Sequence, residues 1–131
     1  MSEPSSEHDL IARQIVDSAF AVHSALGPWL LESVYEQCLV YELETRHLPA
    51  QRQVTLPVFY RNLRIDAGFR MDMVVGGLVV VKIKATERIL PIHEAQLLTY
   101  LKLSHHRLGL LINFNVTLGG RCGLRSPTLT S

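Results

Sequence analysis

Apolar positions recur along the first third of the chain with a helical period. Ile11, Ile15, Ala19, Val22 and Leu26 fall three or four apart from Asp9 onward, and Gly27 and Pro28 close that run and open the next. A second helix is expected over residues 30–46, with Leu31, Val34, Tyr35, Cys38, Leu39 and Leu43 as its buried stripe. Pro49 breaks it. The period then shifts to that of strands. Residues 54–60 read as a strand that Pro57 confines to a sheet edge or a bulge. Arg61 and Asn62 make a turn, and residues 63–75 form a second strand with a weak point at Gly68. Gly76-Gly77 marks a hairpin, and the valine-rich residues 78–85 form a third strand. Pro91 opens a helix to about residue 104, and residues 107–114 form a largely buried fourth strand.

The order is ααβββαβ. Strands joined by tight turns are antiparallel, whereas a helix between the last two strands implies a crossover and a parallel pair. The expected architecture is α/β (α+β), a mixed four-stranded sheet flanked by helices. One domain over residues 7–118 is expected, between a disordered tail at 1–6 and a flexible Gly, Ser, Thr and Pro-rich tail at 119–131.

With 47% hydrophobic and 19% charged residues, the chain has enough apolar material for a core and is not a disordered composition. It has no apolar run of about 20 residues, and the acidic, polar residues 1–9 lack the marks of a signal peptide, so a cytoplasmic location and no membrane partner are expected. Two cysteines, Cys38 and Cys122, make neither a disulfide framework nor a zinc site. The net charge of +1 conceals an asymmetry. Residues 1–50 hold eight acids and two bases, and residues 51–131 hold four acids and eleven bases. That distribution suits a polyanion bound by the second half, or mutual neutralisation of the two halves.

The residues able to carry chemistry are Glu32 in the first turn of the second helix, Asp72 late in a strand, Lys82 and Lys84 on one face of the next strand, and Gln96 and Tyr100 one helical turn apart. Each alone has an ordinary structural explanation, such as a helix N-terminal acid or a solvated strand face. Hydrolysis of a phosphodiester needs oxygen ligands for a metal ion, a positioned water and a cation against the developing charge. Together these residue types supply most of that.

Three segments resemble the GxxExxY family of the PD-(D/E)XK nuclease superfamily. They are LGPWLLESVYE at 26–36, LPIHEAQLLTYL at 90–101 and GLLINFN at 109–115, and the similarity spans residues 9–118. The resemblance implies a restriction-endonuclease-like fold and Mg²⁺- or Mn²⁺-dependent cleavage of DNA or RNA, with no small-molecule cofactor. It makes Asp72 and Glu32 the metal-binding acids, Lys84 the catalytic lysine, and Gln96 and Tyr100 the residues that orient the site or touch substrate.

Two positions depart from the family pattern. Trp29 stands where a glycine is expected, and Lys82 stands where the acid of the (D/E)-x-K element is expected. An acid at 82 would bring the set to −3, or −2 with Lys84, whereas Lys82 brings it to zero. A like charge about 4 Å from a metal ion costs roughly 4 kcal/mol per unit charge at an effective dielectric of about 20. Impaired cleavage is the expectation. The alternative is a non-catalytic module on the same fold, with Lys82, Lys84, Arg70 and Arg88 forming a basic groove for nucleic acid. A third reading is a protein-interaction role, in which a homodimer pairs through the sheet edge near Pro57 or through the last strand.

Register supplies a geometric test. A two-residue Gly76-Gly77 loop would set Asp72 opposite Val81 and turn Lys82 and Lys84 away from it. A common site requires an odd loop, most simply residues 76–78 with a glycine in the left-handed region.

Overall fold

The structure, a computed structural model, describes residues 5–116, with Ala67 as backbone only, and the backbone of residues 123–125. The elements are α1 (Ser6–Leu26), α2 (Glu32–Thr45), β1 (Ala50–Tyr60), β2 (Leu63–Val75), β3 (Val79–Lys84), α3 (Pro91–Ser104), β4 (Leu108–Asn113) and β5 (Gly123–Arg125). They form one mixed sheet in the order β1-β2-β3-β4-β5. The β1–β2, β2–β3 and β4–β5 pairs are antiparallel, and β3–β4, joined through α3, is parallel.

The sheet has five strands where four were expected. The fifth lies inside the stretch read as a loose tail. It is three residues long and has no apolar alternation of its own, so its pairing with Leu111–Asn113 of β4 leaves no pattern in the sequence. At the other end, Ser5 caps α1 and Ser6 begins it, which shortens the expected N-terminal tail. The Ser5 hydroxyl accepts from the His8 amide, and the Ser5 amide donates to His8 Nδ1 at 3.1 Å. The rest of both expected tails, with Cys122, lies outside the described residues. Among the described residues no helix is long and apolar enough to cross a membrane.

Two cores lie on opposite faces of the sheet. On one face, Ile11, Ile15, Ala19 and Val22 of α1 and Tyr35, Leu39 and Leu43 of α2 pack onto Met73, Val75, Val79, Val81, Ile83, Leu110 and Ile112. On the other, Leu97, Tyr100 and Leu101 of α3 pack onto Leu56, Met71, Val74, Val80 and Leu111. Every residue of β4 is buried, as its uninterrupted apolar run requires of a strand covered on both faces. On β3 the odd positions face α1 and α2, so Val80, Lys82 and Lys84 share the other face.

The β2–β3 register runs Met73↔Val81, Val74↔Val80, Val75↔Val79, which leaves residues 76–78 as the loop. Gly76 and Gly77 both sit at positive φ, +60° and +70°, so the hairpin is the odd, glycine-dependent one that a common site needs. Pro57 lies on the edge strand at a register shift between Leu56 and Val58. Gly68 answers it from β2. A Cβ at Gly68 would stand 2.8 Å from the Leu56 carbonyl oxygen and 3.0 Å from Val58 Cγ2, so the strands approach there only because the residue has no side chain.

Two predictions follow from this packing. Gly68→Ala should cost about 1–3 kcal/mol in urea-denaturation midpoint analysis, because the backbone of β1 must move to admit one methyl group. The second concerns His106, half-buried after α3, whose Nδ1 lies 2.7 Å from the Ser104 hydroxyl. Burial, and to a lesser degree the neighbouring His105 and His8, hold its pKa below 6.5 against a hydrogen bond to the Gly77 backbone. The unfolded chain therefore binds the proton more readily than the folded one. The stability His106 supports is complete above pH 6.5 and declines as pH falls from 6.5 through its lowered value. His106→Gln should flatten that part of a stability-against-pH curve measured by thermal melts.

Candidate functional site at the fork between two strands

The β2–β3 ladder ends at Met73↔Val81. Beyond it the strands part, and the amide of Ile83 points at β2 with no strand carbonyl to meet it. The carboxylate of Asp72 takes that place, and its Oδ2 accepts from Ile83 N–H at 2.8 Å. The same oxygen lies 3.6 Å from Lys82 Nζ. Both side chains are largely buried, 17% exposed for Asp72 and 16% for Lys82. A pair this sheltered is screened less than a surface ion pair.

Asp72 and Glu32 line one cleft of about 250 Å³, together with Ser33, Glu36, Gln53 and Ile83. Glu32 begins α2, and its Oε2 accepts a long hydrogen bond, 3.4 Å, from the Ala85 amide just beyond β3. That contact brings the first turn of α2 to the end of the strand that carries Lys82 and Lys84. His93, in the first turn of α3, reports the same convergence. Partial burial, then the ammonium groups of Lys84 and Lys82, lower its pKa from 6.5, while Glu32 opposes them. His93 is half-buried, and its Nδ1 accepts from the Leu90 amide. Lys84 makes no ion pair among the described residues.

Gln96 and Tyr100 do not line the cleft. Tyr100 is buried in the second core with its ring 5.2 Å from that of Phe69, and Gln96 lies half-buried one turn earlier. Tyr100 holds α3 against β2 through its contact with Phe69.

Glu36, Arg52 and Gln53 were missed as site residues. Glu36 is one turn beyond Glu32, on the same helix face, and only 5% exposed. Its Oε2 accepts from Arg52 Nε and Nη2 at 3.2 and 2.9 Å, and its Oε1 accepts from Gln53 Nε2 at 2.7 Å. Gln53 stands at φ +52°, a break in β1 opposite Asp72. The i,i+4 spacing of Glu32 and Glu36 was the available signal. The partners on β1 left none.

These donors do not fit a divalent metal. Mg²⁺ wants carboxylate and water oxygens in near-octahedral array. Here Glu36 is committed on both oxygens, and one oxygen of Asp72 accepts the Ile83 amide hydrogen bond with an ammonium group beside it. Among the described residues no group of three or more His, Cys, Asp or Glu side chains is gathered to hold an ion.

The scaffold is an α/β domain, a mixed sheet covered by helices on both faces, with Asp72 beside Lys82 where the β2–β3 ladder ends. The crystal structure of SSO0001 has this fold, with a TM-score of 0.55 and 19% sequence identity over 96% of this chain and 62% of that one. The chain thus spans less than two thirds of that protein's length. No curated protein matches it. Residues 9–122 match the family model of the PD-(D/E)XK nuclease superfamily, and the chain belongs to that superfamily, whose members typically use divalent metals.

Arg52→Met should leave the Glu36 carboxylate buried with Gln53 alone. Because the Arg52 side chain is 40% exposed, the expected loss is about 1–3 kcal/mol in urea denaturation, below that of a fully buried pair.

Proposed function

We propose that this chain is a nuclease-fold domain of the GxxExxY type that engages nucleic-acid phosphodiesters at the fork between β2 and β3, and that Lys82 suppresses metal-dependent cleavage there. The observation that carries this reading is the 3.6 Å approach of Lys82 Nζ to Asp72 Oδ2. The ammonium group neutralises the aspartate and stands in the space a metal ion would share with it. Glu32 is the remaining acid of the cleft. Lys84 is the cation available to a phosphate oxygen, and Arg70 and Arg88 add positive charge on exposed positions. In this reading Gln96 and Tyr100 act by fixing α3 rather than by touching substrate.

The test compares the chain with Lys82→Glu on labelled DNA and RNA in Mg²⁺ or Mn²⁺. Lys82→Glu should gain cleavage that Asp72→Ala in the same background abolishes. The unaltered chain should bind without cutting, and its affinity should fall as salt rises. If Lys82→Glu stays inactive while binding persists, the fold has lost chemistry beyond this one residue and acts as a binding module. If neither protein binds, the nucleic-acid reading fails. A second reading, self-pairing along the β1 edge, draws on the exposed Phe59, Tyr60, Leu63 and Ile65 at the tip of the β1–β2 ribbon.

A further inference from the structure

We infer that Trp29, on the turn that leads into α2, is a stacking platform for a base of single-stranded nucleic acid. The assignment rests on the nucleic-acid reading above and adds to it the form of the ligand and the residue that grips it.

The indole is 70% exposed and belongs to neither core. Its backbone stands at φ +77°, a conformation that favours glycine and strains a residue with a side chain. An indole so exposed recovers little of that strain through burial. The strain is nevertheless held firmly. The Trp29 amide donates to Asn115 Oδ1 at 3.1 Å, and the next amide, Leu30, donates to the Tyr35 hydroxyl at 3.1 Å. That hydroxyl donates to the Gly27 carbonyl, and the Tyr35 ring is fully buried and stacked on Phe114 with 4.5 Å between centroids. The turn between α1 and α2 is therefore a firmly held mount for the backbone that carries the ring.

The position of the mount points to the ligand. Glu32, three residues on, lines the cleft. Asn113 Oδ1 accepts from the amides of both Asn115 and Thr86, which ties the Trp29 anchor to the corner where β3 ends in Lys84. A flat aromatic face on a turn tied to the strand end that carries Lys84, which makes no ion pair among the described residues, suits a ligand that offers bases and phosphates together. Duplex DNA keeps its base faces stacked inside the helix. A single strand presents them.

Trp29 is the only tryptophan in the chain, so its emission reads the ring directly. The experiment titrates the full chain with fluorescein-labelled oligodeoxythymidine and follows anisotropy and tryptophan emission in parallel. Emission should be quenched in step with the rise in anisotropy. Trp29→Gly should weaken binding about 5- to 100-fold, and Trp29→Phe should restore most of it. The thermal midpoint of Trp29→Gly should stay near that of the parent, since glycine accepts the backbone angle. Four results would overturn the inference. An anisotropy rise without quenching, with Trp29→Gly binding as the parent does, removes the indole from the interface and leaves the nucleic-acid reading standing. A Trp29→Gly midpoint lower by many degrees makes the ring a packing element. A dimer in sedimentation that Trp29→Gly dissolves assigns the ring to self-association. No anisotropy rise even at low salt defeats the nucleic-acid reading and this inference with it.

Discussion

The hydrogen bond from the Ile83 amide to the Asp72 carboxylate organises the centre of this fold. β3 continues its parallel pairing with β4 to Lys84 after its pairing with β2 has ended at Val81, and there the Ile83 amide lacks a strand carbonyl on β2. A buried amide without a partner costs about 1–3 kcal/mol. The carboxylate of Asp72, one residue beyond the last β2–β3 pair, meets that demand without extending the ladder. Once Asp72 is held there, the register of the Gly76–Gly77 hairpin brings position 82 beside it, and the first turn of α2 closes over the end of β3 through Glu32 and the Ala85 amide. The cleft follows from how the sheet solves its own hydrogen-bonding problem.

Much of this was legible in the chain because it rests on parity and on residues with restricted backbones. The hairpin is the clearest instance. Gly76 and Gly77 permit either an even or an odd loop, and the requirement that Asp72 and Lys82 share a site selects the odd one. Pro57 marked an edge strand with a bulge because it lacks the donor a ladder needs, and Gly68 proved to be the residue that the bulge presses against. What stayed hidden depends on distance. Glu36 meets Arg52 and Gln53, 16 and 17 residues away, across a helix–strand contact that no local period announces. The three residues of β5 are too few to show a period. The left-handed angle at Trp29 is also invisible, because a tryptophan gives no warning that its backbone is doing what a glycine would do.

The electrostatics of the cleft turn on which cation Asp72 faces. In a metal site the carboxylate shares its charge with a mobile ion that can also grip a phosphate oxygen. Here it faces Lys82 Nζ, which is covalently tied and cannot be displaced without leaving two partly buried charges apart. The neighbouring carboxylate, Glu36, is likewise satisfied by Arg52 and Gln53. Two of the three acids lining the cleft are thus spoken for by the protein's own donors, and Glu32 at the mouth carries the remaining negative charge. Such a cleft repels a polyanion less than one lined by open carboxylates would.

That change in charge bears on both departures from the family pattern. On the GxxExxY resemblance, position 82 carries a base where an acid is expected, and position 29 carries the largest aromatic where a glycine is expected. On the proposed reading each change moves the site the same way, away from holding an ion and towards holding a strand. Lys82 removes repulsion between the cleft and a phosphate, Lys84 stays available as a counter-charge, and Trp29 adds a neutral surface on which affinity does not depend on salt. Phosphate contacts weaken as salt rises, while stacking on an aromatic face does not. A site that uses both should lose affinity with salt down to a residual level set by the indole, and should lose that residual when the ring is removed. On this reading, decay of a nuclease by random loss of its acid gives no reason for an aromatic at a strained position on the turn that leads into the cleft helix.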